Sequence, residues 1–253
     1  MSYIEKRRSA APLWIGAVIA LAVLGRCAIG IDLPGRLDTP AGIERELLND
    51  PDNGALYATI KRTYPEEFDT LTRNAAERIA RGMSHQDVAD ALTTDLIAAN
   101  ERHRREMLQA PSAELAAYRI AELRLIDAML EHDPEMCATF VTTGAVRADH
   151  SRVPVRLFAD LRAATWEADA AGRDRPVRRK IGPIGAEVVT AIRSNMIADG
   201  VPPTKADAYL DKGAAIERSH AGQCRAGRAV LRAIHRLPAA QADEVQATLH
   251  SAT

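Results

Sequence analysis

From residue 39 onward, apolar side chains recur every three or four positions. Prolines, glycines and capping residues divide that recurrence into segments. Thr39-Pro40 opens the first predicted helix, since proline at the first helical position lacks only an N–H that would have no partner there. The cluster Asn49-Asp50-Pro51-Asp52-Asn53-Gly54 closes it as a turn. A second helix is predicted over 55–63 and a third from 65, with Glu66 and Glu67 complementing the helix dipole in its first turn and Gly82 at its end. Ser84 with Asp87 starts a longer helix reaching 109, striped by Val88, Leu92, Leu96, Ala99 and Met107.

The segment 113–131 places Ala116, Ile120, Leu123, Ile126 and Leu130 on one face, widened by Ala117, Ala121 and Leu125. So broad an apolar surface predicts a central helix covered on several sides. Helices follow over 134–143 and 154–171, and another is marked by Ile184, Val188, Ile192 and Met196 and closed by Gly200 and Pro202-Pro203. The last long pattern, 204–236, contains Gly213, Gly222 and Gly227. These glycines predict either a bend near Ala221-Gly222 or the close approach of another helix. A short helix over 238–249 ends the chain. There is no sustained strand alternation and no repeat period. The expected fold is all-α, an irregular bundle of about eight to ten helices after an N-terminal hydrophobic segment.

That N-terminal segment changes the picture. Lys6, Arg7 and Arg8 precede an uncharged stretch from Ser9 to Gly25; Arg26 interrupts it, and residues 27–31 are apolar again. About seventeen residues at 1.5 Å each reach roughly 25 Å, short of a bilayer core of about 30 Å unless Arg26 snorkels and the span extends to Ile31. Residues 1–31 are therefore expected to be an uncleaved signal anchor, or a signal peptide cut near Ala28-Ile29-Gly30. Arg26 before Cys27 rules out a lipobox. The basic flank favours a cytoplasmic N-terminus. Residues 32–253 are then expected as one exported helical domain, with a candidate internal linker at 172–185 that holds Arg173, Arg175, Arg178, Arg179 and Lys180 among two prolines.

Composition agrees. Residues 47% hydrophobic, 26% charged and only 4% aromatic, rich in alanine, suit helices better than strands. A formal net charge of −1 removes the marked basic excess expected of a nucleic-acid binder.

The candidate chemistry is sparse. Cys137 shares a helical face with Phe140 and Val141, and Cys224 shares one with Gly227, Leu231 and Ile234. Both should point into the core, either as a disulfide in an oxidising compartment or as two unpaired small hydrophobes. Arg218, Arg225, Arg228, Arg232 and Arg236 cluster on the opposite side, as a patch for an anionic partner or as a solvated face paired with neighbouring carboxylates. Glu217 and His220 have the spacing of two metal ligands on one helix, but a di-iron bundle needs a second such pair and none exists. His103 reads as a satisfied core or rim histidine.

No G-x-S-x-G, H-E-x-x-H, P-loop, G-x-G-x-x-G or S-x-x-K occurs. No cofactor or metal is expected. The chain is expected to be a membrane-tethered or secreted helical cell-envelope protein, in the inner membrane with a periplasmic domain or free in the periplasm. Its role would be binding or scaffolding with an envelope protein partner. The alternative is a hydrolase-like envelope enzyme.

Overall fold

A computed structural model describes residues 38–144 and 152–251. The N-terminal segment, with its anchor or signal peptide, lies outside them. The described residues form eleven α-helices and no strand. Local chemistry starts most of them. Thr39 Oγ1 accepts the Gly42 N–H at 3.2 Å at the head of α1 (Pro40–Asn49). Asp50 Oδ1 accepts the Asn53 and Asp52 N–H groups at 2.6 and 3.0 Å, folding the turn into α2 (Gly54–Thr63). Pro65 sets the first turn of α3 (Pro65–Ala80). Ser84 caps α4 (His85–Met107), and Asp133 separates α5 (Ser112–His132) from α6 (Pro134–Thr143) by accepting the Met136 N–H.

After α7 (Val155–Asp174) come α8 (Ala186–Ala198) and α9 (Pro203–Lys212). The long C-terminal pattern breaks earlier than expected. Gly213 sits at φ +80°, a single 3-10 turn covers Ala214–Ile216, and Ser219 caps α10 (His220–His235). This split raises the helix number to eleven, with α11 (Ala239–Ser251) last. Close approach occurs as well: a Cβ on Gly227 would stand 2.4 Å from Val141 Cβ, so α10 and α6 touch nearly backbone to backbone there.

Two hydrophobic cores share α7. The smaller, with Ile43, Tyr57, Ile60, Phe68, Leu92 and Leu96 at its centre, joins α1–α4 to Ala159, Trp166 and Ala170 of α7. The larger gathers α5, α6 and α8–α11 around Leu125, Ile126, Met129, Ile192 and Ile234, and takes Phe158, Leu161 and Ala168 from α7. Contact with α4 is equally close. A Cβ on Gly172 would lie 1.8 Å from the Glu106 carbonyl oxygen, a backbone atom that cannot swing away. Gly172→Ala is therefore expected to cost about 3 kcal/mol in a denaturant titration, at the upper end for overpacking. A loss below about 1 kcal/mol would mean the helices separate easily.

The striped face predicted for α4 is buried as expected. In α5 the buried face differs. It consists of Leu115, Tyr118, Arg119, Glu122, Leu125, Ile126 and Met129, while Ile120 is 41% exposed. Arg119 can lie on this buried face because it has a buried partner there. Its Nη1 donates to Asp243 Oδ1 at 2.9 Å, and Arg179 Nη2 reaches Asp243 Oδ2 at 3.2 Å. Ser112 Oγ donates to that same Oδ2 at 2.5 Å. Arg179 comes from the basic segment marked as a linker. There α7 runs on to Asp174, the Val177 N–H donates to the Gln109 carbonyl at 2.7 Å, and Arg175 pairs with Glu114. Most of this segment's charges are solvated, but Arg179 fastens it to α11.

Candidate functional site

Cys137 in α6 and Cys224 in α10 are fully buried, their Cα atoms are 5.3 Å apart, and their sulfurs are joined. The close Gly227–Val141 approach permits this, because it brings the two backbones within disulfide span. The predicted arginine patch divides. Arg228 pairs with Asp127 of α5, and Arg236 and Arg232 both face Asp199 at the end of α8, Arg232 at 3.9 Å. Three of the five thus tie α10 to its neighbours, while Arg218, ahead of the helix, and Arg225 are exposed. Glu217 is turned toward Lys205 Nζ at 2.8 Å and the Tyr209 hydroxyl at 2.6 Å, and those hydrogen bonds lower its pKa. His220 is exposed at the start of α10.

The site that sequence reading missed lies between α4, α5, α6, α7 and α11. An open cavity of about 120 Å³ is lined by the apolar side chains of Met107, Phe140, Leu161 and Leu249 together with the polar ones of Asn100, Arg162 and Asp169. Glu101 and Arg104 stand 3.7 Å apart at its edge, and His250 Nε2 meets the Tyr118 hydroxyl at 3.3 Å. Arg162 Nη1 donates to Asn100 Oδ1 at 3.1 Å, and Asn100 Nδ2 donates onward to Asp169 Oδ2 at 3.2 Å. The chain Arg162–Asn100–Asp169 is a relay across two helices. No linear spacing announces it, because Asn100 is more than sixty residues from its partners. A signal did exist on α7, where Arg162, Thr165 and Asp169 fall in register with Phe158 and Leu161, so that charged groups interrupt an apolar stripe.

Asp169 has no exposed surface, and its Oδ1 lacks a hydrogen-bond partner. Burial, reinforced by the Glu106 carboxylate, pushes its pKa well up; the Arg162 cation and the Met107 backbone N–H oppose this. Glu106 itself accepts the Tyr64 hydroxyl at 2.5 Å. Tyr64 lies under the Arg173 guanidinium, 4.4 Å from ring centroid to cation, and edge-on to Trp166. Beyond it, His103 Nε2 meets Glu67 Oε1 at 3.1 Å. Burial alone would raise the Glu67 pKa, but hydrogen bonds from Arg102 and His103 take it below the ordinary value. His103 is thus a rim histidine held by carboxylates.

The raised Asp169 pKa has a signed consequence. The folded protein retains this proton above the pH at which the unfolded chain loses it, so the stability tied to it is full at acid pH and falls as pH rises through the raised value. Asp169→Asn keeps an acceptor for Asn100 and removes the buried charge. The variant is expected to match the parent at acid pH and to exceed it by about 1–2 kcal/mol at pH 8 in urea titrations. A variant less stable than the parent at both pH values would refute this assignment.

Among the described residues, no three His, Cys, Asp or Glu side chains converge as a metal site, and no helix is long and apolar enough to cross a membrane. No family model, curated protein or solved structure matches the chain, so the reading of this site rests on its own residues.

Proposed function

We propose that this chain is a membrane-tethered or secreted helical protein of the cell envelope that works by binding, with the α4–α5–α6–α7–α11 cavity as its ligand site. The basic, then apolar, N-terminus supports export, and the joined Cys137–Cys224 pair suits an oxidising space. One observation carries the binding reading: the cavity is open, mostly apolar, and walled in part by the buried carboxyl of Asp169, whose Oδ1 has no hydrogen-bond partner.

Plugging the cavity tests this. Thr165 lines it and is half-buried, so Thr165→Phe should fill it without touching the Arg162–Asn100–Asp169 relay. Small fragments screened by ligand-observed NMR should bind the full chain and lose that binding in the plugged variant. If no fragment distinguishes the two proteins, the binding reading is wrong.

The hydrolase-like reading draws on one observation, a protonatable Asp169 beside a cavity. Trp166 speaks against a sugar-cleaving form of it. At 2% exposure, packed on Tyr64, it offers no face for ring stacking.

A further inference from the structure

We infer that the cavity takes a small organic oxyanion, a carboxylate on an apolar body of about six to eight heavy atoms, held by the guanidinium of Arg162. This rests on the binding reading above and names the class of ligand.

The chain's other inward-facing arginines are matched to carboxylates. Arg119 and Arg179 share Asp243, and Arg78 meets Asp95 at 2.7 Å. Arg162 is the exception. Its one hydrogen bond goes to a neutral amide, Asn100, and among the described residues no carboxylate lies within ion-pair distance of it. Burial also pulls its pKa down, against the opposing influence of Tyr118, Asp169 and Glu101, none of which is in ion-pair contact with it. A guanidinium has five N–H donors in a planar fork that matches a carboxylate, and only one of the five is engaged. The rest are available at a cavity wall.

Asp169 supplies the second, independent observation. It lines the cavity, is wholly buried, and leaves Oδ1 without a partner. Carrying its proton, it becomes a donor beside Arg162 instead of a competing anion. The other acids near the cavity are already engaged. Glu101 faces Arg104 at the edge, and Glu122 has an interaction of its own. Met107, Phe140, Leu161 and Leu249 contribute apolar lining to the same cavity. The volume, about 120 Å³, is close to that of an engineered cavity that holds benzene. Benzoate therefore serves as the probe.

The test titrates the full-length protein, by calorimetry and thermal shift, with benzoate, benzamide, benzylamine and inorganic phosphate. Benzoate should bind at least tenfold tighter than benzamide or phosphate, benzylamine should not bind, and Arg162→Met should lose at least tenfold in benzoate affinity while Arg162→Lys retains part of it. The free Arg162→Met protein should melt no lower than the parent, since it loses a half-buried cation that has no carboxylate in ion-pair contact, whereas an arginine with a merely structural role would lower melting when removed. Benzamide or benzylamine binding as tightly as benzoate, and lost on Thr165→Phe, would overturn the anion inference and leave the cavity a binding site. Phosphate binding as tightly as benzoate would overturn the organic body. If none of the probes binds, the anion inference falls, and the fragment screen against Thr165→Phe alone decides the binding reading.

Discussion

Reduction of the Cys137–Cys224 bridge is expected to lower the unfolding free energy by about 4 to 5 kcal/mol, the value of the chain-entropy model for a loop of this size. The bridge closes 87 residues and joins α6 to α10 across the larger core, spanning α7, the basic segment, α8 and α9 in between. For a domain whose whole stability is about 5–15 kcal/mol, that is a large share. The packing at Gly227 and Val141 does not depend on the bond, so the reduced protein should still fold, with a lower denaturation midpoint. A mutant cycle separates the bridge from simple core packing. If the bond is the source, Cys137→Ala, Cys224→Ala and the double variant should lose nearly the same amount. If the cysteines act as two independent small hydrophobes, the single losses will add, and reductant will change nothing in the parent.

The second large effect is expected at Asp243. This residue is 1% exposed and holds Arg119, Arg179 and Ser112 at once. Asp243→Ala would leave two guanidinium groups, each with only 6% of its side chain exposed, without a counter-charge. The expected loss is about 3–5 kcal/mol, the range for breaking a buried ion pair from one side. It would also release the 175–185 segment from α11, which limited proteolysis would report as new cleavage near Arg178 or Lys180. Replacing Arg119, Arg179 and Asp243 together by apolar residues of similar size should recover most of the stability. A single variant that loses less than about 1 kcal/mol would show the cluster to be hydrated and weak.

Much of the fold was legible in the sequence because helix starts are local chemistry. Thr39-Pro40, Ser84 with Asp87, and Pro65 with its glutamates each marked a helix within a residue or two. The break before α10 was placed too late, since it depends on Gly213 in a left-handed conformation and on the Ser219 cap more than on the glycine-rich run itself. The inward face of α5 was misread for a different reason. A hydrophobic stripe records which side chains prefer burial, but Arg119 is buried through a partner 124 residues away that periodicity cannot reveal. The same limit hid the cavity. Asn100, Arg162 and Asp169 are ordinary polar residues until α4 and α7 come together at Gly172. The arginine patch was legible as a cluster, but not its division among Asp127, Asp199 and solvent.

Export is the premise that joins the bridge, the compartment and the binding role, and trapping thiols in living cells tests it most directly. Cells of the native host are quenched in acid, alkylated without reductant and digested, and the peptides carrying Cys137 and Cys224 are weighed. The account predicts that neither cysteine takes the label until reductant is added. Full labelling of both in the quenched cells would contradict it, placing the domain in a reducing compartment.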